Sequence, residues 1–223
     1  MISQPHLTFQ DALLRCQNLL DSSNSRVIIG IVGKPGAGKS TLSSFLIENL
    51  LSESVALLPM DGFHLSGAQL ATLGRADRKG APDTFDSFGF AALLARISSA
   101  PDGDIYFPIF HREIEESIAA EGVVRAQTRL VIVEGNYLLH HEGGWARVAR
   151  NFTESWYVEV ANTLRLNRLV ARHHYYGKDP QSAHDWAHGT DERNAELVAA
   201  TKSRADFLVD NAQPLSANAL LKA

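Results

Sequence analysis

Gly33-Lys34-Pro35-Gly36-Ala37-Gly38-Lys39-Ser40 is the stretch that decides the fold. The apolar run Val27-Ile28-Ile29-Gly30-Ile31-Val32 leads into it, and Thr41 to Leu50 continue beyond it with helical character. The eight residues fit G-x-x-x-x-G-K-[ST], the phosphate-binding P-loop, and lie between a buried strand and an amphipathic helix, as that loop must. Glycines let backbone N–H groups crowd around a polyphosphate, and the helix N-terminus adds partial positive charge. In this pattern Gly33, Lys34, Pro35, Gly36, Ala37, Gly38, Lys39, Ser40 and Thr41 form the cradle. Lys39 is expected to reach the β/γ-phosphates, and the Ser40 hydroxyl to ligate Mg²⁺. The sequence therefore implies binding of a nucleoside triphosphate, ATP, with Mg²⁺.

Working outward, a chain of 223 residues with 45% hydrophobic content can bury a full core as one domain. A formal net charge of −4 gives no general attraction to nucleic acid or anionic membrane, so any phosphate-binding charge must be local. The lone cysteine, Cys16, excludes an internal disulfide and suits a reducing cytosol. It falls on the stripe Phe9, Ala12, Leu13, Cys16, Leu19 and Leu20, which reads as the packed face of a first helix capped by Thr8. Met1 to His6 lack the basic and apolar regions of a signal peptide, and no apolar stretch reaches membrane-spanning length. A cytoplasmic protein is expected, with a homodimer as an open option.

Further strands are expected at 54–59, 105–108, 130–134, 155–160 and 207–209, and further helices at 88–97, 163–173 and 191–203. Residues 74–86, rich in Gly, Asp, Arg and Lys, read as an excursion from the core. Strands alternating with helices argue for a parallel sheet covered on both faces. The expected fold class is α/β: a P-loop NTPase of three α/β/α layers around a central parallel sheet, one domain over 1–223, with a small helical lid at about 165–190.

Ligands of such sheets bind outside the carboxyl ends of the strands. Asp61 follows the second strand there and Glu134 ends the 130–133 run. Two carboxylates beside a polyphosphate make sense with a metal to hold or a proton to move. Glu134, in a Walker-B-like position, suits Mg²⁺ support, and Asp61 suits a general base on a hydroxyl acceptor. Arg165, Arg168 and Arg172 share one helix face and run into the Gly-hinged basic segment Tyr175-Tyr176-Gly177-Lys178. That combination suits a closing lid, with Arg168 and Arg172 acting on transferring charge. His64, His111 and Arg112 are the residues expected to meet the substrate. The nine histidines include His184 and His188 at i, i+4, but no accompanying ligand set points to zinc. Leu65-Ser66-Gly67-Ala68-Gln69 looks like the signature peptide of ABC transporter ATPases, yet it lies far ahead of Glu134, and no N-K-x-D guanine-reading motif is present.

Together these motifs resemble the phosphoribulokinase/uridine kinase family, which includes bacterial pantothenate kinase. The resemblance runs from about Val27 to Asp210. Asp61-Gly62-Phe63-His64 resembles the family's Asp-x-Phe segment, whose aspartate is the catalytic base. Lys79-Gly80-Ala81-Pro82-Asp83-Thr84-Phe85-Asp86 looks like the stretch following that base. Pro108-Ile109-Phe110-His111 is similar to its Pro-x-Tyr substrate segment, and Val131-Ile132-Val133-Glu134-Gly135 to its Walker-B strand. In the lid helix His173 stands where an aspartate is common, and Tyr176-Gly177-Lys178 replaces the usual Arg-Gly-Arg. The resemblance implies an ATP-dependent kinase acting on an alcohol group of a small metabolite. The overall shape looks most like a subgroup labelled as kinases of a fructose uptake system, which implies a sugar or polyol. A nucleoside or pantothenate acceptor, or a non-catalytic ATPase, are the alternatives.

Overall fold

A computed structural model describes residues 4–50, 54–99 and 102–211. Six strands form one parallel sheet: β1 (His6–Leu7), β2 (Val27–Val32), β3 (Val55–Pro59), β6 (Leu130–Gly135), β7 (Glu154–Glu159) and β8 (Phe207–Asp210). Their spatial order is β1-β8-β7-β2-β6-β3. Strand β2 is central and buried along its whole length, as its unbroken apolar run requires. Alternation along it feeds two cores. Val27, Ile29 and Ile31 face α1 (Phe9–Ser22) and α2 (Lys39–Asn49), packing with Ala12, Cys16, Leu42 and Leu46. Ile28 and Val32 face α4 (Ser87–Ser98), packing with Phe90, Leu94 and Trp145. The result is the three-layer α/β/α arrangement read from the sequence.

Local chemistry sets the helix ends. The Thr8 hydroxyl accepts from the Asp11 N–H at 3.2 Å while Asp11 accepts from the Thr8 N–H at 2.9 Å, a reciprocal cap that starts α1. Cys16 is fully buried on this helix, and burial pushes its thiol up to about 12. Ser66, inside the ABC-like peptide, caps the short helix α3 (Gly67–Thr72) by accepting from the Gln69 N–H at 3.2 Å. Among the described residues no helix is long and apolar enough to cross a membrane.

Several elements differ from the sequence reading, among them the short strand β1, which no pattern announced. Ile105 to Pro108 extend to His111 as β4 (Ile105–His111), which pairs antiparallel with an unforeseen strand, β5 (Glu116–Val124). Glu, Ala and Gly dominate β5, and these residues carry little strand propensity. Pairing across the hairpin overrides that weakness. A helix was also missed, α6 (Pro180–His188), between α5 (Asn162–Tyr175) and α7 (Thr190–Ala199). Its signal was present: Asp179 accepts from the N–H groups of Gln181 and Ser182, with Pro180 at the first helical position. The helix expected at 191–203 ends as α7 at Ala199, followed by a separate 3₁₀ turn at Lys202–Arg204.

Candidate active site

Register brings the site together. Pro59 of β3 pairs with Glu134 of β6, and Glu134 pairs with Ile31 of β2. The strand ends carrying the P-loop, Asp61 and Glu134 are therefore neighbours. Gly36 (φ +77°) and Gly38 (φ +88°) adopt left-handed backbone in the loop, a conformation costly for any residue with a Cβ.

A cavity of about 260 Å³ lies over the loop, bordered by Gly36, Gly38, Lys39, Ser40, Asp61 and Glu134 among others. Lys39 Nζ donates to the Gly33 carbonyl at 3.1 Å, the Lys34 carbonyl at 3.3 Å and Asn136 Oδ1 at 2.7 Å. Burial lowers the Lys39 ammonium to about 8, against the pull of Glu134. The Ser40 hydroxyl donates to Glu134 Oε1 at 2.6 Å and the Ser43 hydroxyl to Oε2 at 3.1 Å. Burial pushes the Glu134 carboxyl above its ordinary value although Lys39 and both serines oppose this. Ser40, Glu134 and Asp61 thus present hard oxygen donors in one cavity, the donor type that suits Mg²⁺.

A second cavity of about 510 Å³ adjoins the first, and Pro35, Asp61, Arg112, Asn136, Arg172 and Tyr176 border both. Its wall is aromatic: the His64 ring lies 4.0 Å from Phe85 and 4.6 Å from Phe110. Lys79 stands over Phe110 at 5.1 Å, and Trp186 of α6 also borders the space. The excursion at 74–86 forms one side, anchored where the Tyr137 hydroxyl donates to the Gly80 carbonyl at 2.6 Å. Gly62 is required here by close approach, since a Cβ would stand 2.0 Å from the Pro108 carbonyl of β4.

Asp61 is half-buried between the cavities and accepts from Arg112 at 3.1 Å. Burial works to raise its carboxyl, but His64, Arg112, Lys39 and Arg172 together hold it below the usual carboxylate range. His64 donates through Nδ1 to the Asp61 carbonyl at 2.8 Å, and burial lowers its imidazole against the pull of Asp61. Arg172 borders both cavities, with burial and Arg112 depressing its guanidinium to about 10.

Gly33, Lys34, Ala37, Thr41, His111 and Arg168, all expected at the site, border neither cavity. His111 is no lining residue of either cavity; its ring meets Glu121 at 2.7 Å and Glu113 at 3.0 Å. Neighbours on a strand point to opposite faces, so Phe110 facing the cavity turns His111 away. Arg168 is buried and borders neither cavity, its guanidinium lying 3.3 Å from where a Gly38 Cβ would stand. The early turns of α5 pack on the P-loop, and only the later turn carrying Arg172 reaches the site. Lys34 points outward to Asn162 Oδ1 at 3.3 Å. Ala37 is buried, and the buried Thr41 hydroxyl has no hydrogen-bond partner among the described residues. Asn136 and Trp186 were not foreseen as site residues, whereas Phe110 lies in the segment likened to the family's substrate segment. Asn136 could have been flagged, since it directly follows the Glu134-Gly135 strand end.

A family profile described as Nephrocystin 3, N-terminal, matches residues 11–64, the P-loop unit and its flanks. A Schizosaccharomyces pombe protein provisionally named uridine kinase C227.14 is 31% identical over 180 residues, covering 77% of this chain and 77% of its own length. The chain belongs to the phosphoribulokinase/uridine kinase family of P-loop kinases. A crystal structure from Silicibacter sp. TM1040, provisionally named a fructose transport system kinase, shares 34% identity at a TM-score of 0.77, covering 88% of this chain and 97% of that one. The pantothenate kinase of Leifsonia xyli is 29% identical, covering 78% of this chain and 57% of its own length. These relatives carry three different kinase names.

Proposed function

We propose that this chain is a small-molecule kinase that transfers the γ-phosphoryl group of ATP to a hydroxyl group of a sugar or polyol such as fructose. The observation that carries the reading is the position of Asp61, which borders both the loop cavity and the aromatic cavity. A hydroxyl held at Asp61 from the aromatic side faces a phosphate held at Lys39 from the other. The acceptor oxygen forms its bond to phosphorus as the bond to the ADP oxygen breaks, and its proton passes late to the Asp61 carboxylate. Asp61 is ready for that role because neighbouring cations keep it ionised.

Lys39 and Arg172 supply positive charge on the transferring group, and Ser40 and Glu134 would hold Mg²⁺, which neutralises phosphate charge when bound. His64 and Arg112 contact the acceptor, with Phe110 beneath it. The chain acts as one kinase domain, with the lid at about 165–190. Movement of that lid starts beyond Leu169, since Arg165 and Leu169 pack on Gly36.

One observation favours a second reading. The tilted aromatic cluster of His64, Phe85 and Phe110 also offers an apolar face for a nucleoside base. ADP release measured across a panel of sugars, polyols, nucleosides and pantothenate tests both readings. Stimulation by a sugar or polyol supports the first and stimulation by a nucleoside alone supports the second. ATP binding without any acceptor-dependent release would make the protein a non-catalytic ATPase.

A further inference from the structure

The P-loop works only if its N–H groups face the phosphate. A trans peptide is planar, so its N–H points opposite to the preceding carbonyl. Fixing a carbonyl therefore fixes the next N–H. Glycine makes this a real demand, because its torsions are permissive and the peptide planes beside Gly36 and Gly38 can rotate at little steric cost. A rotated plane would present a carbonyl oxygen, not an N–H, to the phosphate.

Two carbonyls of the loop are held by residues far outside the motif. Arg165 Nη1 donates to the Pro35 carbonyl at 3.3 Å, and Asn211 Nδ2 donates to the Ala37 carbonyl at 2.8 Å. Both side chains are fully buried, and neither borders the loop cavity, whereas Gly36 and Gly38 do. Arg165 is itself fixed by Asn162 of α5 at 3.3 Å and by the Glu192 carboxylate of α7. The Asn211 N–H donates to the Glu159 carbonyl of β7 at 2.9 Å. The same two residues fill the space beside the glycines: a Cβ on Gly36 would stand 2.8 Å from the Arg165 carbonyl, and one on Gly38 would stand 1.9 Å from Asn211 Nδ2.

We infer that Arg165 and Asn211 are positioning residues for the P-loop, holding the Pro35 and Ala37 carbonyls outward so that the Gly36 and Gly38 N–H groups face the phosphates. Arg165 therefore belongs to the loop's support and not to the lid's charge, although it shares a helix face with Arg172. The inference rests on the nucleotide-binding reading above.

The test measures binding of ATP and of inorganic triphosphate by calorimetry for wild type, Arg165→Met, Arg165→Lys, Asn211→Leu and Asn211→Ser. Losing one such hydrogen bond should weaken both ligands about tenfold in Arg165→Met and Asn211→Leu. Arg165→Lys, which keeps one donor, should recover part of the loss, while the acceptor KM at saturating ATP stays in place. A purely structural role would lower Tm without this selective loss of phosphate affinity. If the larger changes prevent folding, Asn211→Ser, too short to reach the Ala37 carbonyl, should still weaken triphosphate binding. Folded variants that bind both ligands like wild type overturn the inference. So does a loss confined to ATP with triphosphate binding intact, which would move these residues to the base or ribose. Failure of wild type to bind either ligand would instead overturn the nucleotide reading itself.

Discussion

The loop cavity and the aromatic cavity meet at Asp61 but are assembled from the chain in opposite ways. The phosphate side of the first comes from one continuous unit, the P-loop and the start of α2, with Asp61 and Glu134 delivered by adjacent strands of one sheet and Arg112, Arg172 and Tyr176 shared with the second cavity. The second draws Lys79 from an excursion, Phe110 and Arg112 from a hairpin, Arg172 from α5 and Trp186 from α6. A site made from one unit repeats wherever that unit repeats. A site gathered from loops and an appended hairpin can change its acceptor without touching the phosphate chemistry. Family members named for a uridine, a pantothenate and a fructose-system kinase fit that division.

Asp61→Asn makes the most demanding test of the boundary between the two cavities. The carboxamide keeps the shape but cannot take a proton, so kcat should fall about 10²–10⁴-fold. ATP affinity should be retained, because the loop contacts of Lys39 and Ser40 do not pass through Asp61. Steady-state kinetics and ATP titration on the same preparation check this. A near-normal kcat would remove Asp61 as the base and leave the two cavities without a shared chemical step.

A smaller effect isolates the loop side by pH alone. The Lys39 ammonium is depressed to about 8 in the free protein, chiefly by burial. Below that pH the amine is charged and pairs with phosphate; above it, binding must first recharge it. Nucleotide affinity should therefore hold level toward pH 7 and fall as pH rises, reaching about a tenfold loss near pH 9. Calorimetric Kd values across this range check the slope. The acceptor KM should show no matching transition, since Asp61 stays ionised throughout. A flat nucleotide profile would mean that Lys39 is not the cation meeting the phosphate.

The sequence was most legible where local chemistry is enough. G-x-x-x-x-G-K-[ST] between an apolar strand and a helix can be one thing, and Thr8 with Asp11 announces a helix start. Glu134 could be read because a carboxylate ending an apolar strand has nowhere to go but the ligand edge. Residues set by non-local pairing were not legible. Strand β5 has a composition that argues against a strand, and its partner β4 supplies the reason it is one. The turning away of His111 follows from the register of that hairpin, which no local pattern reveals. Arg165 and Arg168 share spacing with Arg172, yet burial against the P-loop separates them from it. Asn211 lies 174 positions from the carbonyl it holds.

The smallest expected effect belongs to Phe110 and sharpens the comparison from the other side. Its ring lies 4.6 Å from His64, with Lys79 above it at 5.1 Å, and it borders the aromatic cavity but not the loop cavity. Stacking on such a face contributes about 0.5–1.5 kcal/mol beyond area burial, so Phe110→Ala should raise the acceptor KM roughly three- to tenfold. A Leu at the same position keeps apolar area but not the flat face. If the acceptor stacks, Phe110→Leu should lose nearly as much as Phe110→Ala; if the ring only fills space, Leu should restore binding. In both variants ATP affinity should match wild type, because no loop contact runs through this ring. A parallel loss of ATP affinity would show that the two cavities are one coupled pocket, and that the hairpin helps hold the nucleotide as well as the acceptor.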